Sequence, residues 1–235
     1  MKELNLDRVN LGRTVGAALI PPVSLVVGAW LMTLTDNVWN KVVFMIVISV
    51  INLSVALALY GRVLKTAWPK FRVHIWRNLL LAIAGAALTY VVIGLVRSGL
   101  GLAGLNFGMA QTGNVLAFST MEQATLGLGA AISPLLAPFT EEIIFRHALF
   151  FQFNRNKVGL CAMFVVSSVA FGLVHWNNFH GDIVAMVPYM AAGAWFALIY
   201  FWSKNIWQNI ATHFFFDFVQ VISAVVLFFV ALFNN

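Results

Sequence analysis

Seven ionisable side chains stand where the chain is otherwise apolar. They are Glu141, Glu142, Arg146 and His147 in TEEIIFRHALF, His175 in FGLVHW, and His213 and Asp217 in THFFFDF. Carboxylates and imidazoles are the groups that move protons near neutral pH. Acid–base catalysis, stabilisation of an oxyanion and metal binding are therefore the chemistries on offer. Spacing adds geometry. Glu142 and Arg146 are four apart, so on a helix they share a face and pair, while Glu141 points about 100° away. Glu141 has no partner on its own helix and is the candidate general base or acid. Glu142 with Arg146 reads first as a buried structural ion pair. His213 and Asp217 are again four apart, so that the carboxylate orients or charges the imidazole. Phe171 stands one turn before His175.

Depth decides whether these residues can meet. At about 1.5 Å per residue, Glu141 lies roughly 20 Å from the end of its helix near Arg155, His175 roughly 26 Å from Lys157, and Asp217 roughly 18 Å from Lys204. The levels agree within a turn or two, so a shared site of Glu141, His175, His213 and Asp217 is geometrically allowed.

The elements that must hold them are membrane helices. The 235 residues are 61% hydrophobic and only 9% charged, with a mean hydropathy of +0.89, whereas about a quarter of a soluble domain is charged. A soluble globular domain is excluded. Runs of about 20 apolar residues, enough to cross the bilayer core as helix, recur along the chain. They fall at residues 15 to 34, 41 to 60, 78 to 96, about 123 to 153 with Pro134 and Pro138 interrupting, 158 to 176, 183 to 203 and 206 to 232. None alternates like a barrel strand. The expected fold is all-α: a polytopic transmembrane bundle of seven helices, or eight if the last run breaks in two. It forms a single transmembrane domain over 1 to 235.

The net charge of +6 has no aromatic-interleaved basic patch behind it, so no nucleic-acid partner is expected. The basic residues work instead as topology signals. With a cytoplasmic N-terminus, Lys2, Arg8, Arg13, Arg62, Lys65, Lys70, Arg72, Arg77, Arg155, Lys157 and Lys204 all fall inside, leaving Lys41 and Arg97 outside. That predicts a multi-pass protein of the cytoplasmic membrane. No removable signal peptide is expected at the N-terminus. The single cysteine, Cys161, can form no internal disulfide. Residues 97 to 121, rich in Gly and small polar residues, read as a mobile outer loop.

An ionisable residue inside a membrane helix costs several kcal/mol unless paired or hydrated, so each of the seven is a functional candidate. Together they resemble the CAAX prenyl protease and bacteriocin-processing family, also called ABI, of intramembrane endopeptidases. The family's EExxxR is matched by Glu141, Glu142 and Arg146, its FxxxH by Phe171 and His175, and its HxxxN/D by His213 and Asp217, in order and over about residues 130 to 220. The resemblance implies hydrolysis of a peptide bond without a covalent intermediate, in a catalytic core at about 123 to 232. Glu141 and His175 would activate a water. His213 with Asp217 would stabilise the oxyanion, and Glu142, Arg146 and Phe171 would support them. It implies no cofactor, and as substrate a peptide or small membrane-associated protein, in bacteriocin processing or self-immunity.

Two positions depart from the family pattern. His147 stands where glycine is usual, predicting looser packing there. Asp217 stands where the eukaryotic members carry asparagine. An ionised aspartate cannot donate to an oxyanion, but it can hold His213 as the imidazolium that does.

Other chemistries leave no trace. There is no GxSG-like serine nucleophile, no HExxH and no GxGD motif. Two alternatives stand beside the family reading: a zinc-dependent metalloprotease with Glu141, His175, His213 and Asp217 as Zn2+ ligands, and a non-catalytic bacteriocin-immunity or scaffold protein of the membrane. A proton-coupled transporter would show an inverted repeat, and none is apparent. Trp68, Trp76, Trp176 and Trp207 lie near span ends as an interfacial aromatic belt. Gly127, Gly129 and Ala130 predict close helix packing. His74 and His180 fall in predicted loops.

Overall fold

Asparagine, threonine and aspartate start five of the helices, because a short side-chain acceptor satisfies an N–H that a helix leaves open in its first turn. Asn10 accepts from the amide of Arg13, Asn37 from Asn40, Asn156 from Val158 and Asp182 from Ala185. Thr120 forms a reciprocal capping box with Gln123. The helices that follow are α1 (Leu11–Thr33), α2 (Val38–Arg72), α3 (Ile75–Leu102), α4 (Met121–Ala130), α5 (Ile132–Glu141), α6 (Lys157–Leu173), α7 (Ile183–Ser203) and α8 (Ile206–Asn234). The computed structural model describes residues 9–105 and 120–234.

The bundle is a polytopic membrane fold. Six stretches are long and apolar enough to span: Leu11–Thr33, Val38–Arg72, Ile75–Leu102, Met121–Phe153, Ile183–Ser203 and Ile206–Phe233. The seventh, Lys157–Leu173, is apolar and 17 residues long. The bundle's apolar surface is turned outward, with Val26, Trp30, Leu80, Leu95, Val158 and Phe233 all exposed. Fully buried positions include Thr89, Glu142, Arg146, Asn209 and Thr212. That distribution suits a hydrocarbon solvent, in which polar groups need partners from within the protein.

Three expectations need amendment. The last run does not break: Ile206–Asn234 is one helix of 29 residues. The extra helix comes from the fourth run, which divides at Ala131, between α4 and α5. Pro134 has no N–H to return to the carbonyl of Ala130, and its ring crowds that carbonyl, so the chain turns and a new helix starts with Pro134 in its first turn. The outer loop is shorter than read, since α3 continues to Leu102 and α4 starts at Met121; the expectation for residues 106–119 lies outside the described residues.

Two close approaches lock α6 to α7 and so set where α6 ends. A Cβ on Gly172 would run into Met190, and one on Gly193 would stand 2.9 Å from the Ser168 carbonyl oxygen. Gly129 does the same for α4 and α2, where a Cβ would lie 3.0 Å from Val42. α8 packs against α3, α4, α5 and α7, which places its polar stripe at the centre of the bundle.

Hydrogen bonds between distant segments define the two ends. Asn205 Nδ2 donates to the Ala67 carbonyl, Asn78 Nδ2 to Phe71 and Gln208 Nε2 to Asn78. Gln152 Nε2 donates to the Tyr60 hydroxyl. This gathers the helix ends that carry Arg62, Lys65, Lys70, Arg72, Arg77 and Lys204 on one side. Asn177, which donates to the Leu25 carbonyl, belongs to the opposite side. The tryptophans divide: Trp68, Trp76 and Trp176 are exposed as a belt requires. Trp207 instead packs on Trp68 and donates its indole N–H to the Leu64 carbonyl at 2.8 Å.

Candidate active site

Glu141 is the last residue of α5, and from Glu142 to Ala148 the chain widens into a π-helical turn. The Leu149 amide accordingly bonds the carbonyl of Ile144, five residues back. Such turns are rare and occur often at functional sites. Ser167 of α6 supports this one by donating its hydroxyl to the Phe145 carbonyl at 2.7 Å. The widened segment is wholly buried and presents Glu142 and Arg146 to the bundle interior.

Glu142 and Arg146 pair as their spacing predicts, at 3.4 Å and with both side chains fully buried. The guanidinium lies 4.3 Å from the ring centre of Phe171 and within 6 Å of the rings of Phe196 and Phe145, at 5.5 and 5.8 Å. None of its nitrogens has a hydrogen-bond partner among the described residues. Its charge is met by one carboxylate and by aromatic faces, an arrangement that suits a weakly hydrated planar cation.

Glu142 does more than pair with Arg146. Its Oε1 accepts from Nδ1 of His213 at 2.9 Å and its Oε2 accepts from Nδ2 of Asn209, also at 2.9 Å. His213 is thereby clamped from a different helix. Its ring stacks on Phe196 at 4.7 Å and meets Phe171 at 5.6 Å. Nε2 then faces two carboxylates, Asp217 at 3.4 Å and Glu141 at 4.0 Å. Since Nδ1–H is committed to Glu142, Nε2 is the nitrogen left to serve Glu141 and Asp217.

His175 follows the end of α6. Its Nδ1 lies 3.0 Å from the Phe171 carbonyl, one turn earlier. A carbonyl oxygen only accepts, so Nδ1 carries the proton, and in the neutral ring Nε2 keeps its lone pair. The ring is held against Tyr189 of α7 at 4.4 Å. Phe171 therefore orients His175 through its backbone and holds Arg146 through its ring.

Glu141 and His175 share one cavity of about 660 Å³. Its walls are the second half of α1, the first half of α2, α5 and the segment after α6, with Leu25, Met32, Met45 and Ile48 on the apolar side and Ser24, Asn52, Ser133 and Thr140 among the polar lining. Glu141 is the carboxylate of the site that reaches it, with its side chain 23% exposed. His213 and Asp217 do not line the cavity; they stand behind Glu141. The four candidates thus form two layers, Glu141 and His175 at the surface of the cavity and His213 with Asp217 beneath. Among the described residues no three His, Cys, Asp or Glu side chains are grouped to hold one metal ion.

Sequence reasoning missed Asn209 and Asn52. Asn209 lies four residues before His213 and eight before Asp217, on one stripe of α8, and a buried amide in an apolar run is itself a signal. Asn52 accepts the hydroxyl of Ser24 at 2.8 Å; nothing local marks it as part of the cavity. His147 was expected to loosen its surroundings. Instead it is buried, with Nδ1 2.9 Å from the Tyr200 hydroxyl and its ring edge-on to Tyr60, so that the imidazole fills the space a glycine would leave open.

Residues 123–219 match the family model described as type II CAAX prenyl endopeptidase Rce1-like. This range contains every member of the three motifs, so the family resemblance read from them holds over this part of the chain. A Bacillus subtilis protein described as "Putative membrane peptidase YdiL" is 35% identical over 82 residues, 35% of this chain and 31% of that protein. A Mycoplasma capricolum protein of undescribed function is 30% identical over 92 residues, 39% of this chain and 26% of that protein. The chain thus aligns with about a quarter to a third of the length of these relatives. No solved structure matches it significantly.

Proposed function

We propose that the chain is an intramembrane endopeptidase of the glutamic type. The observation that carries the reading is that Glu141 and His175 both line one cavity, while Glu142, His213 and Asp217 are engaged with one another behind them. Glu141 takes a proton from a water as the water oxygen attacks the scissile carbonyl carbon, and His175 Nε2 accepts a hydrogen bond from the other O–H and so orients the nucleophile. Negative charge develops on the carbonyl oxygen. For an N–H of His213 to reach it, the substrate carbonyl must enter past Glu141 toward Nε2, because Nδ1 is held by Glu142 and Nε2 stands behind Glu141 beside Asp217; a donor preset there would stabilise the developing charge. When the C–N bond breaks, Glu141 returns its proton to the leaving amine. Glu142, Asn209, Arg146 and Phe171 act as positioning residues.

The substrate on this reading is a peptide or small membrane-associated protein, and processing of a secreted peptide or bacteriocin self-immunity is the use proposed. The basic end of the bundle lies at the cytoplasmic face of the cell membrane, by the positive-inside rule. The N-terminus is then cytoplasmic. The zinc-dependent alternative uses Glu141, His175, His213 and Asp217 as ligands, and the immunity or scaffold reading uses no chemistry at all.

One experiment separates the three. Wild type, Glu141→Gln and His175→Ala are purified in detergent, matched for folding, and assayed on a quenched peptide library with and without a chelator. The glutamic mechanism gives cleavage that falls by about 10²- to 10⁴-fold in both variants and is indifferent to the chelator. Chelator sensitivity reversed by zinc favours the metalloenzyme. A folded wild type that cuts nothing overturns both in favour of binding.

A further inference from the structure

A second cavity of about 710 Å³ lies between the end of α2, α3, α7 and the first turn of α8, and shares no lining residue with the first. One end is cationic, lined by Lys70, Arg77 and Lys204. None of these has an acidic partner among the described residues, and no Asp or Glu lines the cavity. The rest is a groove over Leu81, Ala84, Gly85, Leu88 and Ile199, flanked by Trp195 and Trp202. Leu81, Leu88 and Trp202 are exposed, so the groove opens onto the apolar outer surface of the bundle.

Its length is that of one lipid leaflet. Arg77 and Leu88 are eleven residues apart on α3, roughly 16 Å along the helix, against about 15 Å for half the hydrocarbon core. The cationic end thus sits at headgroup level and the apolar end near the midplane, with Trp202 at the interface where indole rings settle. The floor is closed by tight contacts. Trp195 donates its indole N–H to the Gly85 carbonyl at 3.0 Å, and a Cβ on Gly85 would lie 2.9 Å from Thr212. Gln208 ties the groove's inner edge to α3 by donating to the Asn78 carbonyl at 3.0 Å.

We propose that this groove is a binding site for an anionic glycerophospholipid, its phosphate held by Lys70, Arg77 and Lys204 and one acyl chain laid along α3 to Leu88. Basic pockets between membrane helices select lipids of this charge, and three unopposed cations above an acyl-length groove match a single negatively charged lipid. The site is independent of the peptidase reading, since no residue of it belongs to the motifs.

The test is lipid retention by native mass spectrometry and thermal stability of the detergent-purified protein with added phosphatidylglycerol, phosphatidylcholine or inorganic phosphate. Phosphatidylglycerol is expected to be retained one to one and to raise Tm, phosphatidylcholine and phosphate much less. Removing charge should cost roughly fivefold in lipid affinity per residue, on the order of a hundredfold for Lys70→Gln/Arg77→Gln/Lys204→Gln together. Ala84→Trp should block retention with all three charges intact. Arg62→Gln/Lys65→Gln, at the same end but outside the groove, should leave retention unchanged. Equal stabilisation by both lipids or by free phosphate overturns the proposal. So does equal loss in the groove and control charge variants, or retention in Ala84→Trp.

Discussion

Replacing Glu142 by glutamine removes the carboxylate charge that opposes Arg146 at 3.4 Å. The guanidinium is fully buried and has no hydrogen-bond partner among the described residues, so the variant leaves a buried cation with no carboxylate paired to it. Breaking a buried pair from one side costs about 3 to 5 kcal/mol. For a chain of this size each kcal/mol moves Tm by about 2 to 4 °C, which makes the expected loss on the order of 10 °C. Glu142→Gln/Arg146→Met removes both charges and keeps the volume, and most of that loss should return. Activity should not return with it, because His213 Nδ1 has still lost its carboxylate acceptor. Glu141→Gln is the contrasting variant: its nearest charged partner stands 4.0 Å away and its side chain is partly exposed. It should keep the wild-type Tm within a degree or two while losing cleavage. Thermal unfolding followed by intrinsic tryptophan fluorescence in detergent, paired with the peptide assay, reads all four proteins. A wild-type Tm for Glu142→Gln, or recovery of cleavage in the double variant, would refute the division between an ion pair that holds the fold and a carboxylate that does the chemistry.

Three further outcomes are expected. Gly193→Ala places a methyl 2.9 Å from the Ser168 carbonyl oxygen, so α6 and α7 must separate; a loss of about 1 to 3 kcal/mol is expected, seen as a lowered Tm together with weakened cleavage, since α6 carries Phe171 and leads into His175. Phe171→Leu takes away the ring 4.3 Å from Arg146 and should destabilise by about 2 kcal/mol or more through lost cation–π contact and packing, while Phe171→Tyr should be milder in the same measurement. Asn52 keeps its amide N–H groups for the cavity, because Ser24 occupies its oxygen; on the proposed reading Asn52→Leu raises KM several-fold with little change in kcat, and a fall in kcat alone would count against a role in holding substrate.

Much of this fold was legible without a structure because its solvent is hydrocarbon. Backbone groups in lipid must bond within their own segment, so apolar length alone located the spans, and the charges between them marked one end as basic. The i, i+4 pairs were legible for the same reason: Glu142 with Arg146 and His213 with Asp217 depend only on helical rise and turn. The break at Ala131 was half legible, since Pro134 announced an interruption but the residue that yields is the one after Ala130, whose carbonyl the ring would crowd. The unbroken α8 was not, because length by itself does not say whether neighbours hold a helix straight.

The site belongs to tertiary structure. That Glu142 takes His213 Nδ1 joins residues 71 apart in sequence, and it turns a pair read as structural into the support of the imidazole. That Glu141 faces a cavity walled by α1 and α2, outside the segment matched by the family model, depends on how helices far apart in the chain pack. So does the division of the candidates into a cavity layer and a buried layer. Which side chains could do chemistry, and on which helices they ride, followed from the residues alone, because those are properties of composition and local geometry. Only packing decided which of them meet, since the contacts that bring them together are set by side-chain fit between helices, such as Gly172 and Gly193 at the α6–α7 crossing, and no local rule encodes that.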